Sequence, residues 1–473
     1  MIHYKDRSPS DTIKIIKDFF NDMGFIIKKS TNNKINKSYW CHIDLYSQDG
    51  KLLLAKSNGK GITEELCEAS AYGELYERYC GFLPDKLDEP LDNYNFEYES
   101  IEYLHELLKA TNGGTIKTSC YQNIKNKNDI KFFSKELLNN LFGSTGFACG
   151  NTLSEAILQA TCELCERHAI VELIKNDGAY GYLIDTQEDE ELGLTYEIYD
   201  LSFDFKLPVI AVKIIDNKNY AIGYSFGCHP IREIAIERCI TEFVQGTMVY
   251  MDKLYMPYSG LLPINYYDAD YKSNKNLNKI FSSGSGFIPV DKFRSEASKE
   301  ISDFWIKDEN SINNNDDLLL FLLNNIKADI YITDTSVCKD MSAVHVYSPQ
   351  LITKEQIDLF EYDDNMDMFK AEMAFNALLK EAIINNDLEK TMSMLKDALI
   401  DYKIRIYPIF YKHSTVSSQL ENYLAALLGL YTQDFTLYNE AINKLRINNE
   451  ATYAIYSAYG SDIKYDNLLK YII

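Results

Sequence analysis

One pattern occurs twice in this chain and limits what it can fold into. Ala71-Tyr72-Gly73-Glu74-Leu75-Tyr76-Glu77-Arg78 returns 89 residues later as Ala160-Thr161-Cys162-Glu163-Leu164-Cys165-Glu166-Arg167, so both copies read A-x-x-E-L-x-E-R. Upstream, Gly61 and Thr63 precede Glu74 at the intervals at which Gly150 and Thr152 precede Glu163. On a helix, positions i, i+3 and i+4 share a face. Glu74, Glu77 and Arg78 therefore project together, as do Glu163, Glu166 and Arg167, with Ser70 and Glu155 near those faces. Leu66, Ala69, Ala71 and Leu75, and in the second copy Ala156, Ile157, Ala160 and Leu164, predict that both helices are largely buried. A single E-x-x-E-R reads as a solvated helix with local ion pairs. Two buried copies would bring four carboxylates together, which is costly without cations. Hard divalent ions with oxygen ligands are the natural remedy, magnesium pairs with phosphate, and arginines supply bidentate phosphate donors.

Charge and cysteine usage exclude several classes. A net charge of −22 argues against sequence-independent binding to nucleic acid or to an anionic membrane. Met1 to Arg7 is polar and charged, and no run of about 18 apolar residues offers a membrane span, so a cytoplasmic protein is expected. Ten scattered cysteines read as reduced thiols. Cys162 and Cys165 have C-x-x-C spacing but sit inside the second acidic helix, where a packing role is expected. None of the seven histidines has H-x-x-x-H or H-E-x-x-H spacing, so zinc hydrolase chemistry has no support.

At 473 residues the chain has room for two or three domains. Ser8-Pro9-Ser10-Asp11 predicts a helix start, with apolar residues through Thr12 to Met23 and a stop at Gly24. Extended runs at 39–46 and 51–57, joined through Asp49-Gly50, predict a hairpin. It feeds a Gly-rich turn, Asn58 to Thr63, that lacks Walker spacing, although Lys60 could still approach an anion. Residues 83–140 are polar and mixed, with a helix predicted at 100–110, a loop at 123–128 and no chemistry. Ser144 to Thr152 mirrors the first Gly-rich turn, and Ser154 is the cap candidate for the second acidic helix. Strands are predicted at 208–215 and 220–226, followed by a third helix carrying Arg238, Glu242 and Gln245 on one face. Residues 250–316 look loop-rich, with a helix and strand over 318–333 and a strand at 343–347. The acidic stretch 361–365 marks a boundary, beyond which helical spacing suggests a TPR-like array. The fold class expected is α/β (α+β), with internally repeated strand/helix units over 1–360 and an all-α C-terminal domain over 367–473.

Three motifs in order resemble the YcaO family: G-K-G-x-T with S-A-x-G-E-x-x-E-R (Gly59 to Arg78), G-N-T-x-x-E-A with C-E-L-x-E-R (Gly150 to Arg167), and R-x-x-x-E-x-x-Q (Arg238 to Gln245). Lys5-Asp6 before a helix ending Met23-Gly24-Phe25, together with the helical C-terminal region, is similar to stand-alone enterobacterial-type members. The resemblance implies ATP and Mg2+ as cofactors without a Walker motif, and phosphorylation of a backbone amide oxygen during azoline, thioamide or amidine formation. It implies that Glu74, Glu77, Glu155, Glu163, Glu166 and Glu242 hold magnesium. It also implies that Lys5, Thr12, Ser70, Asn151, Arg167 and Arg238 contact ATP. Glu74, Glu163, Glu166, Arg167 and Arg238 would then be the catalytic set.

Heterocyclising members typically end in a P-x-P-x-P tail, whereas this chain ends Lys470-Tyr471-Ile472-Ile473, and no fused leader-binding domain is evident. A peptide or protein substrate, delivered by a separate partner protein, is therefore expected, and a homodimer is common in the family. Stand-alone members are associated with methylthiolation of a small-subunit ribosomal protein; peptide thioamidation is the related chemistry. The alternatives are a nucleotide-binding adaptor that recruits partners through its helical C-terminus, an azoline-forming cyclodehydratase with a separate leader-binding partner, and a di-iron carboxylate protein. The last would want E-x-x-H, where this chain has Glu77 and Glu166.

Overall fold

The computed structural model describes residues 5–81, 116–202, 206–247 and 312–351, apart from gaps at 30–32, 36–37, 47–49, 51–52, 134, 192 and 218–220. It also describes 87–89, 261–264, short pieces between 272 and 306, a few positions between 387 and 425, and 434–448. The helix expected at 100–110, the boundary at 361–365, the chain end and most of the C-terminal array lie outside the described residues.

Helix α1 (Pro9–Asp22) starts where the sequence signals it: Ser8 caps it, its Oγ accepting from the Asp11 amide at 3.2 Å, and proline occupies the first turn. A four-stranded antiparallel sheet follows, made of β1 (Ile26–Lys29), β2 (Asn33–Ile35), β3 (Ser38–Tyr46) and β4 (Leu53–Gly61), with β3 pairing the other three. Cys41, Ile43 and Leu45 alternate inward, beneath α2 (Glu64–Gly81). The next section holds β5 (Leu87–Glu89), β6 (Ile116–Asn123), β7 (Ile130–Phe133), α3 (Lys135–Phe142), β8 (Phe147–Gly150) and α4 (Leu153–Lys175). Then come β9 (Gly181–Asp189), β10 (Leu194–Asp200), β11 (Val209–Asp216), β12 (Ala221–Cys228) and α5 (Arg232–Thr247). β13 (Leu261–Ile264), β14 (Gly286–Pro289) and β15 (Phe293–Arg294) extend the same sheet. α6 (Asn315–Asn325), β16 (Tyr331–Asp334) and β17 (Ser342–Tyr347) return to the earlier one, and α7 (Phe435–Asn448) is the helix described in the C-terminal region.

Two larger sheets result. One runs β14-β13-β12-β11-β10-β9-β15 and the other β5-β6-β16-β17-β8, with β7 beside β6. Helix α4 lies between them, so apolar residues surround it: Ala156, Ile157, Ala160, Leu164, Ala169, Ile170 and Leu173 are all buried. The other face of the seven-stranded sheet packs Ile198, Ile210, Val212 and Ile214 against Ala235 and Cys239 of α5. Burial on both faces explains the continuous apolar run at 209–214.

The doubled pattern is threefold in the structure. Each sheet ends one strand (β4, β8 or β12) in a turn that delivers a helix (α2, α4 or α5), and the three copies are in one register. The first helical bond is made by equivalent residues in all three: Cys67 N to Thr63 O at 3.0 Å, Ala156 N to Thr152 O at 3.1 Å, and Ala235 N to Ile231 O at 3.2 Å. Glycine lets strand and helix backbones touch. A Cβ at Gly61 would stand 2.6 Å from Cys67 N, and one at Gly150 would stand 2.5 Å from Ala156 N.

Several local expectations are corrected. The Gly-rich stretch from Asn58 is strand as far as Gly61, because its backbone completes the ladder to Tyr39 and His42. The cap of α4 is Thr152, whose Oγ1 accepts from the Glu155 amide at 3.2 Å. Ser154 is already helical and bonds Asp316. The polar stretch before Asn140 contains β6, β7 and α3, and the loop-rich stretch contains β13 to β15.

One buried group makes stability depend on pH. His345 on β17 is 2% exposed, stacks on Phe147 at 4.0 Å and accepts from the Tyr121 hydroxyl at 2.5 Å. Burial, assisted by Lys135, pushes it down to about 3. The unfolded chain therefore binds a proton that the folded one refuses. Stability from this residue is complete above the ordinary value of 6.5 and is lost as pH falls towards 3. Urea unfolding at pH 4.5 should show the wild type about 2–3 kcal/mol weaker than at pH 7 on this account, and His345→Gln should lack that part of the slope.

Candidate active site

A cleft of about 260 Å³ lies where α2, α4 and α5 meet the segment before α1. Its walls are built from equivalent positions of the three units: Gly61, Gly150 and His229; Leu66, Glu155 and Ile234; Ala69, Leu158 and Glu237; Ser70, Gln159 and Arg238; Gly73, Cys162 and Thr241. Residues 5 to 12 close one side. Lys5 Nζ bonds Glu155 Oε1 at 2.8 Å, the Asp6 amide donates to Glu155 Oε2 at 3.1 Å, and Arg7 reaches the Asp340 carbonyl. Asn151 Nδ2 also donates to Glu155, and Thr12 Oγ1 donates to Asn151 Oδ1 at 2.6 Å. Burial alone would raise the Glu155 carboxyl, but Lys5, the Asp6 amide and Asn151 outweigh it and hold the group below the ordinary carboxylate range.

The acidic faces converge on Lys60, at the end of β4. Lys60 is ion-paired with Glu242 of α5, and Glu166, Glu74, Arg238 and Arg167 all act on it electrostatically. Burial, with Arg238 adding to it, brings Lys60 down to about 8. Glu74 accepts from the Asn58 amide at 3.0 Å, on the edge of β4. Arg78 stands 3.4 Å from Glu74 and 3.5 Å from Glu77, while Arg167 stands 3.4 Å from Glu163 and 2.6 Å from Glu166. Burial pushes Glu77 up to about 8 against the pull of Arg78, with Glu163 and Glu74 adding to the rise. Glu166 is likewise raised by burial, with Arg167 opposing and Glu163 contributing. Glu163 of the second copy thus lies within electrostatic reach of Glu77 of the first.

Of the residues expected from sequence, Lys5, Thr12, Ser70, Glu74, Glu77, Asn151, Glu155 and Arg238 line the cleft. Glu242 is one step away through Lys60. Glu163, Glu166 and Arg167 are not on the cleft wall; they stand behind it, linked through Glu77 and Lys60. The side chain of Gln245 is outside the described set. Gln159 was not foreseen. Its Oε1 receives Arg238, whose other terminal nitrogen donates to the Cys228 carbonyl at 2.7 Å. Extending the register to the third helix would have found it, because Ser70, Gln159 and Arg238 occupy one position. Cys162, Cys165 and Cys228 are buried together as thiols, which agrees with a packing role for C-x-x-C.

Each acid is turned to a cation: among the described residues, no three acidic, cysteine or histidine side chains form one metal-ligand group. The donor set nevertheless suits a hard divalent ion. The available donors are carboxylate oxygens, the pairs to Arg78 are long, and carboxylates crowd Glu77 in a way that added positive charge would relieve.

Residues 135–352 match the family model described as YcaO cyclodehydratase, ATP- and Mg2+-binding. The chain is 24% identical over 432 residues to the ribosomal protein S12 methylthiotransferase accessory factor YcaO of Escherichia coli (strain K12), covering 80% of this chain and 70% of that protein. It is 24% identical over 412 residues to an uncharacterized protein of Haemophilus influenzae, covering 76% of this chain and 66% of that one. About a third of each relative thus lies outside the likeness. Among solved structures, YcaO from Methanopyrus kandleri bound with AMPPCP and Mg2+ aligns at a TM-score of 0.48 and 16% identity, over 75% of this chain and 93% of that one. A heterocyclase in complex with substrate and cofactor aligns at 0.47 and 16%, over 74% and 53%.

Proposed function

Since this chain carries a YcaO domain, we propose that it is an ATP- and Mg2+-dependent enzyme that activates a backbone amide by phosphorylating its oxygen. The observation that carries this reading is the convergence of three equivalent helices, with their carboxylates and cations, on one cleft around Lys60. Lys5 and Arg238 on the cleft wall, with Arg167 behind it, are suited to phosphate oxygens, and Thr12, Ser70 and Asn151 to the polar parts of the nucleotide. Glu74, Glu77 and Glu155, with Glu163, Glu166 and Glu242 behind them, are the residues that would hold magnesium. The metal's contribution is charge neutralisation and orientation of the phosphates. Phosphoryl transfer demands mainly positioning, and Arg238 is pre-positioned by Gln159 and the Cys228 carbonyl. In the reaction a nucleophile adds to the amide carbon, the resulting oxyanion takes the γ-phosphoryl group and releases ADP, and the oxygen then leaves as phosphate.

The Escherichia coli relative's description favours a substrate of the small-subunit ribosomal protein class, which this enzyme would help to methylthiolate. A net charge of −22 suits a basic protein of that kind. Peptide thioamidation uses the same activation. We place the enzyme in the cytoplasm, in keeping with ten free thiols and with no helix among the described residues long and apolar enough to cross a membrane. We assign partner binding or dimerisation to the region beyond residue 367.

The test is nucleotide hydrolysis by the purified chain. Slow ATP turnover that stops with EDTA and returns with Mg2+ is expected, together with iron content far below one per chain. Nucleotide binding without any magnesium-dependent turnover, even with the cognate partner present, would select the adaptor reading instead.

A further inference from the structure

We propose that Gly284 is a positioning residue for Arg167, its backbone forming a wall that fixes where the guanidinium meets the nucleotide's phosphates; this rests on the reading of the cleft as an ATP site. A Cβ at Gly284 would stand 2.5 Å from Arg167 Cζ and 2.6 Å from Nη2, and closer still to Nη1, so the glycine backbone lies directly against the guanidinium. The contact requires the absence of a side chain.

The wall is itself held in place. Gly284 has a left-handed φ of +64°, which suits glycine, and its amide donates to the Ile280 carbonyl at 2.7 Å. Ile280 is fully buried, and the Asn276 side chain bonds both backbone groups of Phe287 on β14, at 2.8 and 2.9 Å. A Cβ at Gly286 would stand 2.7 Å from Asn276 Oδ1 and 2.8 Å from Ile280 Cγ1, so the packing around this backbone leaves no slack. Arg167 needs such a stop. Its Nη1 bonds Glu166 at 2.6 Å, Nη2 reaches Glu163 only at 3.4 Å, and Nε is buried with no acceptor among the described residues. Both acids stand on α4 with Arg167, so they leave the guanidinium able to swing, whereas Gly284 belongs to a different element and limits it. Orientation matters because two-pronged bonding to phosphate is spoiled by a displacement of about 1 Å.

The substitution Gly284→Ala separates positioning from support of the fold. The atoms its Cβ would strike are the tip of a flexible side chain, so Arg167 should move and the chain should stay folded. In urea unfolding the midpoint should fall about as far as that of Gly193→Ala, whose φ of +71° imposes a similar backbone strain. The binding probe is MANT-ATP with Mg2+, titrated by fluorescence on the full chain. Arg167→Ala should weaken binding by about tenfold or more, the scale of hydrogen bonds to a charged group, and Gly284→Ala by about fivefold. Gly193→Ala should bind within about twofold of wild type. In the double variant Gly284→Ala should add nothing to the loss from Arg167→Ala, because no guanidinium remains for the Cβ to displace. Wild-type binding by Gly284→Ala, or an equal loss from it with and without Arg167, would overturn the inference. If Gly284→Ala does not fold, Gly284→Asn, which carries a Cβ and accepts left-handed backbone more readily, is judged by the same criterion. A wild-type chain that binds no MANT-ATP at all would remove the ATP site itself, and the inference with it.

Discussion

Glu163→Ala should lower magnesium-dependent ATP turnover by about 10²- to 10³-fold while leaving the fold intact, the scale expected when one strong electrostatic element of a phosphoryl-transfer site is removed. Removing one partner of a buried ion pair usually destabilises a protein strongly, because the other charge is left unpaired. Glu163 is different. Arg167 keeps Glu166 at 2.6 Å after the substitution, so no cation is stranded. Glu163 also raises both Glu77 and Glu166, so its removal relieves carboxylate crowding. Unfolding stability should therefore be unchanged or slightly higher, while turnover collapses and the magnesium requirement shifts to higher concentration. Arg167→Ala should lose turnover on a similar scale but also some stability, since it leaves two glutamates without their nearest cation. Turnover by both variants at the wild-type rate would remove these residues from the site.

The repeated helix was legible because its chemistry is local: E-x-x-E-R places acid and base on one face, and small and apolar neighbours mark it as buried. Its third copy was only half legible. Arg238 and Glu242 could be seen, but glutamine, glycine and histidine replace the residues that make the pattern recognisable. The shared register emerges from where backbones touch. Lys60 illustrates the second limit. Its neighbours Glu242, Glu166 and Arg238 lie between 106 and 182 residues away, and only the packing of three sheets brings them together. Strand β9 exposes the polar run Asp185 to Glu188 and β6 buries polar Thr118 and Asn123, so periodicity was weak in both, whereas β11, buried on both faces, was plain. The α4 cap was misassigned because Thr152 and Ser154 are equally good cap residues in isolation; Asp316, on a distant helix, takes the serine hydroxyl.

Gly59→Ala is the substitution expected to cost most in stability, though it touches no charge. Its added Cβ would stand 2.0 Å from the Cys67 carbonyl oxygen, 2.6 Å from the Ala71 amide nitrogen and 2.8 Å from the Ala71 Cβ. Two of these are helix main-chain atoms, so no rotamer change relieves the contact and β4 must part from α2. Overpacking a core usually costs about 1–3 kcal/mol, and a clash against two main-chain atoms belongs at or above the upper end of that range. A whole domain has only about 5–15 kcal/mol to lose. Urea unfolding should show this loss, while Gly178→Ala, where the nearest atom is the Asn176 side-chain oxygen at 3.4 Å, should stay within about 0.5 kcal/mol of wild type. Separation of β4 from α2 would also carry Asn58 away from Glu74 and Lys60 away from Glu242. Nucleotide binding should therefore weaken even at temperatures where Gly59→Ala remains folded, because the contact that sets the spacing of the first unit also sets the width of the cleft.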